Sequence, residues 1–371
     1  MRYDSIVVGA GIIGLSIGWR ASQLGMSVLV LDRSDPPDGA STVAAGMLAP
    51  VTEATFGEDA LLRLNLESAR RWPGFAEELT MSTGVHLSGH EPGILHLALD
   101  RDQSEALRRL FDYQQSLGLK AEWLTSSACR RLEPGLHPST RAGILAHADA
   151  AVDPRQVVEA LRGALKAAGG ELRLGHEVAG VAGGSSPGAR LATGETIAAG
   201  TVVVAAGSWS GRLPGIPSYV GKAIRPVKGQ ILRLRQASPL PSPVTHVLRT
   251  EEVYLVPRPG GEVVVGATVE EKGFDPVPTA GGVFELLRAA GELLPGIREM
   301  ELAEVTAGLR PGTPDNAPLL GTVAPGLVVA TGHYRNGVLL APVTADGIAG
   351  LLAKGELPEE LAGFAPDRFD R

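Results

Sequence analysis

Residues 9–14 read Gly-Ala-Gly-Ile-Ile-Gly, the pattern G-x-G-x-x-G, near the start of a chain of 371 residues. An apolar run, Tyr3–Val8, precedes the pattern and predicts a buried β-strand, and the following Gly11–Leu24 predicts a helix. A second buried strand, Ser27–Leu31, ends at Asp32. These elements predict a βαβ unit of a parallel sheet, the context in which this pattern binds a dinucleotide.

Each glycine of the motif has its own role in such a unit. Gly9 permits the tight turn, Gly11 lets a pyrophosphate approach the backbone, and Gly14 lets the helix pack closely on the sheet. The helix N-terminus stabilises the phosphate charge, and Asp32 accepts a hydrogen bond from the adenosine ribose. The motif leaves NAD(H) and FAD open, but its early position and the much later returning strand Thr201–Gly207 favour FAD.

The composition is that of an ordinary globular protein, with 44% hydrophobic residues and a formal net charge of -7. The acidic balance argues against a nucleic-acid partner, and no apolar run reaches the ~18 residues that span a bilayer. The single cysteine, Cys129, excludes a disulfide framework within the chain and fits a reducing, cytoplasmic location. We expect no metal, because His86 and His90 have the loop-like context of surface histidines.

The pattern of the predicted strands changes along the chain. Buried strands typical of a parallel sheet occur near both ends, whereas the period becomes two between Ala223 and Thr268, as in antiparallel strands. We therefore predict an α/β plus α+β architecture, in which a Rossmann-like FAD-binding domain is interleaved with a mixed, largely antiparallel substrate domain. The predicted FAD-binding domain takes residues 1–75, 141–219 and 305–371, and the substrate-binding domain takes residues 76–140 and 220–304.

Three further segments carry specific expectations. Asp35–Val51 is rich in Gly, Ala and Pro and predicts an irregular loop. Ala60–Leu79 predicts an amphipathic helix with a break at Pro73. Gly337–Ala353 predicts a final helix, and its N-terminus is expected to face the pyrimidine edge of a flavin.

Two arginines follow predicted strands, which is where sites form in open α/β sheets. Arg310 lies in Gly308–Asp315, after the predicted strand Val305–Leu309, and Arg335 lies in Gly332–Gly337. A guanidinium binds a carboxylate with two parallel hydrogen bonds, which a lysine cannot do. The placement favours a binding role for Arg310 and leaves Arg335 balanced between a site and a solvated arginine.

Tyr254 lies in the alternating segment Glu252–Val256. A period of two puts Glu252 and Tyr254 on one face of a strand. A phenol and a carboxylate on one face can line a polar cavity, and they can equally belong to a solvent-facing strand surface.

Several stretches together resemble the D-amino acid oxidase family of flavoenzymes and, within it, the branch that oxidises glycine for thiamine biosynthesis. The most specific are Gly-Leu-Arg-Pro-Gly-Thr at residues 308–313 and Gly-His-Tyr-Arg-Asn-Gly-Val-Leu-Leu-Ala-Pro at residues 332–342. Val7–Gly14, Asp32-Arg33 and the segment 41–48 add to the resemblance, which covers essentially the whole chain. It implies two interleaved domains that hold FAD.

The resemblance also implies which residues act. Besides the three motif glycines, the implied FAD contacts are Ile12, Ile13, Asp32, Arg33, Ala40, Ser41, Ala45, Gly46, Met47, Val178, His333, Tyr334, Arg335, Asn336, Gly337, Val338 and Leu339. Arg310 is implied to bind the substrate carboxylate, with Arg335 close by and Tyr254 contributing its hydroxyl. The FAD is expected to be noncovalent, because some relatives attach it to a cysteine in the C-terminal half and this chain has none after Cys129.

The implied reaction is oxidative deamination of glycine, a small amine or a D-amino acid. A hydride passes from Cα to flavin N5, and O2 or another acceptor takes the electrons, with H2O2 formed from O2. Glu252 and Val269 stand where the glycine-oxidising enzymes have histidine and methionine, and Glu252 is a candidate partner of the substrate ammonium. A D-amino acid dehydrogenase, a sarcosine-type oxidase and a non-catalytic flavin-binding subunit stay open, and a homo-oligomer is expected.

Overall fold

The computed structural model describes residues 2–35, 38–87, 93–236 and 242–370, so the predicted surface position of His90 lies outside the described residues. The strands, in chain order, are β1 (Tyr3–Val8), β2 (Val28–Leu31), β3 (Met47–Leu48), β4 (Ile94–Ala98), β5 (Glu122–Thr125), β6 (Ala142–Ala146), β7 (Ala150–Ala151), β8 (Glu171–Arg173), β9 (Val178–Ala182), β10 (Gly188–Leu191), β11 (Thr196–Val204), β12 (Arg225–Arg235), β13 (Val247–Arg249), β14 (Tyr254–Pro257), β15 (Glu262–Gly266), β16 (Glu301–Gly312), β17 (Leu319–Ala324) and β18 (Leu327–Thr331). The α-helices are α1 (Ile12–Gln23), α2 (Ala40–Val43), α3 (Asp59–Thr83), α4 (Arg101–Ser116), α5 (Ser126–Leu132), α6 (Pro154–Ala167), α7 (Ser218–Ala223), α8 (Ala280–Leu293), α9 (Ala341–Lys354) and α10 (Glu359–Ala362).

The first large sheet has the order β17-β18-β11-β1-β2-β8, with β10 and β9 joined to it through β11. Strands β18, β11, β1, β2 and β8 are parallel, and β17 is antiparallel at the edge. The predicted βαβ unit is therefore confirmed. Helices α1, α6 and α9 pack together, and the core that they share with this sheet is made mainly of Val, Ile, Leu and Ala side chains. That burial stabilises a parallel sheet covered by helices.

The second large sheet has the order β16-β12-β15-β14-β13-β4-β6-β5. Its pairs are antiparallel except for the parallel pair β13–β4, as the period of two predicts for β12, β14 and β15. Strand β6 and the Val305–Gly312 part of β16 belong to this sheet, although these residues fall in segments predicted for the FAD-binding domain. The sheet membership therefore differs from a division drawn at those boundaries.

Three expectations about local structure are corrected. The predicted loop 35–51 contains the short elements α2 and β3. Helix α3 runs through Pro73 without a break. Trp72 and Phe75 are buried and anchor the helix on both sides, whereas Pro73 is exposed, so the carbonyl that loses its partner is on the solvent side. The last helix begins at Ala341 rather than at Gly337, because residues 334–340 form turns closed by Asn336 N–H donating to His333 O and Leu340 N–H donating to Asn336 O.

Candidate active site

A cavity of about 560 Å³ lies between the two large sheets. At one end it is lined by the turn at Gly9–Ile13 and by Asp32 at the end of β2. At the other end it is lined by Tyr254, Arg310 and Arg335. The predicted dinucleotide motif and the predicted carboxylate-binding residues therefore meet in one space.

The glycines of the motif are required by close backbone contacts. Gly9 has φ +110°, and a Cβ there would lie 2.5 Å from the carbonyl oxygen of Ala205. A Cβ on Gly14 would lie 1.9 Å from the carbonyl oxygen of Gly9, so any side chain would push α1 away from the turn. Gly14 lies outside the cavity lining and serves the packing of the helix, as the motif predicts.

Hydrogen bonds fix the shape of this turn. Asp32 accepts from Ala10 N–H at 2.7 Å through one oxygen and from Ser34 N–H at 3.0 Å through the other. Ser41 Oγ accepts from Ile12 N–H at 3.0 Å, at the N-terminus of α1. The first turn of α1 holds no acidic residue, so its partial positive charge faces the cavity without a competing carboxylate. The residues present therefore fit the phosphates of a dinucleotide.

Most of the remaining predicted FAD contacts also line the cavity. They are Gly11, Ile12, Ile13, Arg33, Ala40, Ser41, Ala45, Gly46, Met47, Val178, His333, Tyr334, Arg335, Gly337 and Val338. Asn336 and Leu339 lie outside the lining and are buried. The Leu339 carbonyl accepts hydrogen bonds from Ser68 Oγ at 2.6 Å and Trp72 Nε1 at 2.8 Å, which directs this residue into the core.

His333 is a buried, neutral member of the lining. Burial lowers its pKa from 6.5 to about 3, and its Nε2 shares a hydrogen bond of 3.1 Å with Thr344 Oγ1. The neighbouring Tyr334 has a positive φ of 47° and donates its N–H to the Pro311 carbonyl at 3.0 Å. This bond joins the two arginine-bearing segments that the sequence singled out.

Arg310 lies within β16, which is a correction to its predicted position just after the strand of a parallel sheet. Its Nη1 donates to the Thr268 carbonyl at 3.1 Å. The guanidinium rests over Gly229 of β12, since a Cβ on Gly229 would lie 2.3 Å from Nη1. The missing side chain of Gly229 thus makes the space in which Arg310 lies.

Tyr254 is partly buried, and its hydroxyl lies over Gly266 of the neighbouring strand, where a Cβ would be 2.4 Å from it. Burial raises the pKa of Tyr254 above its usual value of 10.0, and the nearby Arg310 opposes this rise. The phenol is therefore protonated at neutral pH and can donate a hydrogen bond in the cavity.

Glu252 and Val269 also belong to the cavity lining, at the mouth. The Glu252 carboxylate accepts a hydrogen bond from Arg288 Nη2 of α8 at 3.0 Å, and it lies before β14 begins. A shared strand face for Glu252 and Tyr254 is therefore corrected, because only Tyr254 is in the strand. Val269 is 68% exposed.

Two lining residues had no signal in the sequence. They are Glu53, in the loop after β3, and Arg249, at the end of β13. Glu53 accepts a hydrogen bond from Arg249 Nη1 at 2.6 Å, and its carboxylate lies 3.6 Å from Arg335 Nε. Asp149 holds that loop by accepting from Val51 N–H at 3.1 Å and Thr52 N–H at 2.7 Å. Neither Glu53 nor Arg249 belongs to a motif: the loop held by Asp149 brings Glu53 to the site, and the register that pairs β13 with β14 brings Arg249.

Two aromatic rings, each with an arginine over it, lie in contact between the two sheets at the cavity wall and form a stack of four side chains. The guanidinium carbon of Arg33 lies 4.1 Å from the ring centre of Trp209, and that of Arg212 lies 3.7 Å from the ring centre of Phe274. The two rings are 5.7 Å apart. Cation–π contacts of this kind fix the segment that follows β15 against the first sheet.

Comparison with known proteins gives the family. The sequence matches the family described as FAD dependent oxidoreductase over residues 4–351. The chain belongs to this family. The site of the FAD-dependent oxidoreductase therefore combines a cofactor cradle on the first sheet with charged residues on the second.

Individual relatives agree along the full length. The chain is 35% identical to a glycine oxidase of Geobacillus kaustophilus over 99% of this chain and 97% of that protein. It is also 35% identical to a bifunctional protein ThiO/ThiG of Trichormus variabilis, over 100% of this chain and 56% of that protein. The crystal structure of glycine oxidase from Geobacillus kaustophilus superposes with a TM-score of 0.91 at 33% identity, covering 99% of both chains.

Two further features bear on how the FAD-dependent oxidoreductase is built. Cys129 is buried in α5, away from the cavity lining, and burial raises its pKa to about 11. Within the described ranges, none of the helices is both long and apolar enough to cross a bilayer.

Proposed function

We propose that this FAD-dependent enzyme oxidises glycine or another small amino acid, with Arg310 binding the substrate carboxylate. The observation that carries the proposal is the position of Arg310 over Gly229 and beside the partly buried Tyr254, in the cavity that the dinucleotide motif also lines. The similarity to glycine oxidase along the whole chain supports glycine as the first substrate to test.

The protein's own contribution is to hold the substrate. Arg310 uses Nη1 on the Thr268 carbonyl, which orients the guanidinium beside Tyr254, where its fork can bind a carboxylate. Tyr254 keeps its proton and donates its hydroxyl to the same carboxylate. These bonds fix the direction of the Cα–H bond, and positioning of this kind supplies much of the rate in such reactions.

FAD, when bound in this cavity, accepts two electrons and the α-hydrogen of the substrate. The amino group must be neutral for the α-hydrogen to leave, so a proton passes from the ammonium to solvent. The imine that results adds water and releases ammonia, which gives the 2-oxo acid. The neutral His333 puts no positive charge in the cavity lining.

An anaerobic titration tests the proposal. Glycine is added to the purified FAD-loaded protein, and the flavin band near ~450 nm is followed. Rapid bleaching of this band supports oxidation of glycine. If Arg310→Ala is bleached at the same rate, Arg310 does not bind the substrate. A yellow protein that no amino acid bleaches would overturn the proposal and favour a non-catalytic flavin-binding role.

The setting of the reaction is part of the same proposal. The family resemblance supports O2 as electron acceptor, a homo-oligomer in the cytoplasm and a role in thiamine biosynthesis. An oxygen electrode tests the acceptor, and sedimentation at several protein concentrations tests the oligomer. Consumption of one O2 for each glycine, with H2O2 formed, is the expected result.

A further inference from the structure

The substrate end of the cavity contains a second guanidinium besides Arg310 that is only partly used. Arg249 ends β13, directly opposite Tyr254 in the register with β14, and it lines the cavity. Its Nη1 donates to Glu53 at 2.6 Å. Among the described residues, Nε and Nη2 of Arg249 have no hydrogen-bond partner, and neither atom is enclosed by protein, so they open onto the cavity.

Arg249 has fewer carboxylate neighbours than Arg335. Arg335 lies 3.6 Å from Glu53 and 3.9 Å from Glu58, and its Nη2 donates to Thr55 Oγ1 at 3.2 Å. In the part of the chain that the structure describes, Arg249 forms an ion pair only with Glu53, which Arg335 also approaches and whose side chain is 11% exposed. The largely enclosed Glu53 carboxylate therefore interacts with two guanidiniums. Nε and Nη2 of Arg249 are left as donors, and their planar geometry matches a carboxylate.

Arg249 and Arg310 are alike in this respect. Each donates Nη1 to a fixed acceptor, Glu53 or the Thr268 carbonyl, and both residues line the cavity. The guanidinium of Arg310 lies over β12, and Arg249 is on β13. These two strands are three interstrand spacings apart, about 14 Å, and Tyr254 of β14 lies between them. Both positive charges oppose the rise in the Tyr254 pKa that burial causes, so both act on the space around its ring.

We propose that Arg249 binds a second carboxylate of the substrate, so that amino acids with two acid groups are preferred over glycine. The second acid group is carried either on the nitrogen, as an N-carboxymethyl group, or on the side chain. The proposal rests on the proposed function, because it takes Arg310 as the site of the first carboxylate. The competing explanation is that Arg249 only holds Glu53 in place.

Two ether analogues that cannot be oxidised at nitrogen separate these explanations. Oxydiacetate and methoxyacetate differ only in the second carboxylate, and their Kd values for the FAD-loaded protein are measured by calorimetry. We expect oxydiacetate to bind at least about ten-fold more tightly than methoxyacetate, a difference of ~1.4 kcal/mol. Equal affinities would overturn the proposal.

Variants assign the difference to one residue. Arg249→Met is expected to bring the two Kd values within about two-fold of each other, and Arg249→Lys to keep part of the preference, since it retains the charge without the fork. Arg101→Met is the control, because Arg101 pairs with Glu105 on α4, neither residue lines the cavity, and the ten-fold preference is expected to stay. An undiminished preference in Arg249→Met would contradict the role of Arg249.

Flavin reduction under anaerobic conditions then distinguishes the source of the second acid group. A faster reaction with iminodiacetate than with glycine places it on the nitrogen, and a faster reaction with D-aspartate places it on the side chain; either result supports the proposal. A slower reaction with both would contradict it while the proposed glycine oxidation stands. If none of the three reduces the flavin but oxydiacetate is still preferred, the proposed function fails and the second carboxylate site remains.

Discussion

Gly229→Ala tests the placement of Arg310 without altering any group that touches the substrate. In the structure, a Cβ on Gly229 would lie 2.3 Å from Nη1, 2.4 Å from Nη2 and 2.5 Å from Cζ of Arg310. Non-bonded heavy atoms are in favourable contact at about 3.5 Å, so the guanidinium must move by about 1 Å. Gly229 is in a strand and its φ is not in the left-handed region, so alanine itself is accepted by the backbone.

The expected effect follows from the bonds that the displaced guanidinium loses. A hydrogen bond to a charged group contributes about 1.5–3 kcal/mol, which corresponds to about a 10- to 150-fold lower kcat/KM for glycine. Misplacement of a positioning group by about 1 Å lowers the reaction rate by about 100-fold, which agrees with that range.

The assay is anaerobic flavin reduction at a series of glycine concentrations, with FAD content and thermal unfolding measured in parallel. Gly281→Ala is the matched control, because a Cβ there meets nothing within 4 Å. A double-mutant cycle makes the test sharper: in an Arg310→Ala background, Gly229→Ala is expected to change kcat/KM by less than about two-fold. A Gly229→Ala variant as active as Gly281→Ala would refute the placement of Arg310.

Other changes give independent checks. Glu252→Gln is expected to leave the pH profile of flavin reduction unmoved, since its carboxylate pairs with Arg288; a shifted profile would return Glu252 to substrate binding. Burial, and secondarily Arg249, lowers the His96 pKa from 6.5 to about 3, so the unfolded chain binds the proton first and stability is lost as pH falls below 6.5. Between neutral pH and about pH 5, the free energy of unfolding in urea is expected to fall by ~2 kcal/mol more for the wild type than for His96→Met. The same pH dependence of the unfolding free energy in both proteins would contradict this. Gly14→Ala is expected to purify without most of its FAD, as read from the ratio of absorbance at about 280 nm to that at about 450 nm, because its Cβ would overlap the Gly9 carbonyl; a fully yellow variant would contradict the packing argument.

The sequence was sufficient wherever local periodicity and glycine stereochemistry decide the structure. The βαβ unit and the roles of Gly9 and Gly14 follow from a short motif in its proper context, and the structure supplies the close contacts that explain them. The antiparallel strands β12, β14 and β15 likewise follow from a period of two.

The sequence failed where strand partners decide the structure. Pro311 and Gly312 indicate the end of a strand after Leu309, yet β16 continues through them because it is an edge strand and Pro311 needs no amide partner on its open side. The alternation of side chains around Tyr254 predicts a strand that includes Glu252. In the structure, Thr250 N–H donates to the Val253 carbonyl at 2.8 Å and closes a turn there, so the strand begins only at Tyr254.

Glu53 and Arg249 were missed for a related reason. Glu53 sits in a loop fixed by Asp149, which is distant along the chain, and Arg249 is brought to the site by its pairing with β14. Neither relation leaves a pattern in consecutive residues, so only the three-dimensional structure places them beside the predicted Arg335.

The stack at the cavity wall makes Trp209 an intrinsic optical probe of the protein. Its ring contacts Arg33, which follows β2 of the first sheet, and Phe274 from the segment after β15, and it lines the cavity that would hold FAD. A bound flavin absorbs in the range where indole emits, so loading quenches Trp209 without any added label. Of the four tryptophans, Trp19 and Trp72 are buried in the core of the first sheet and Trp123 lies in β5, so Trp209 is the one that lines the cavity and its quenching follows cofactor exchange in real time.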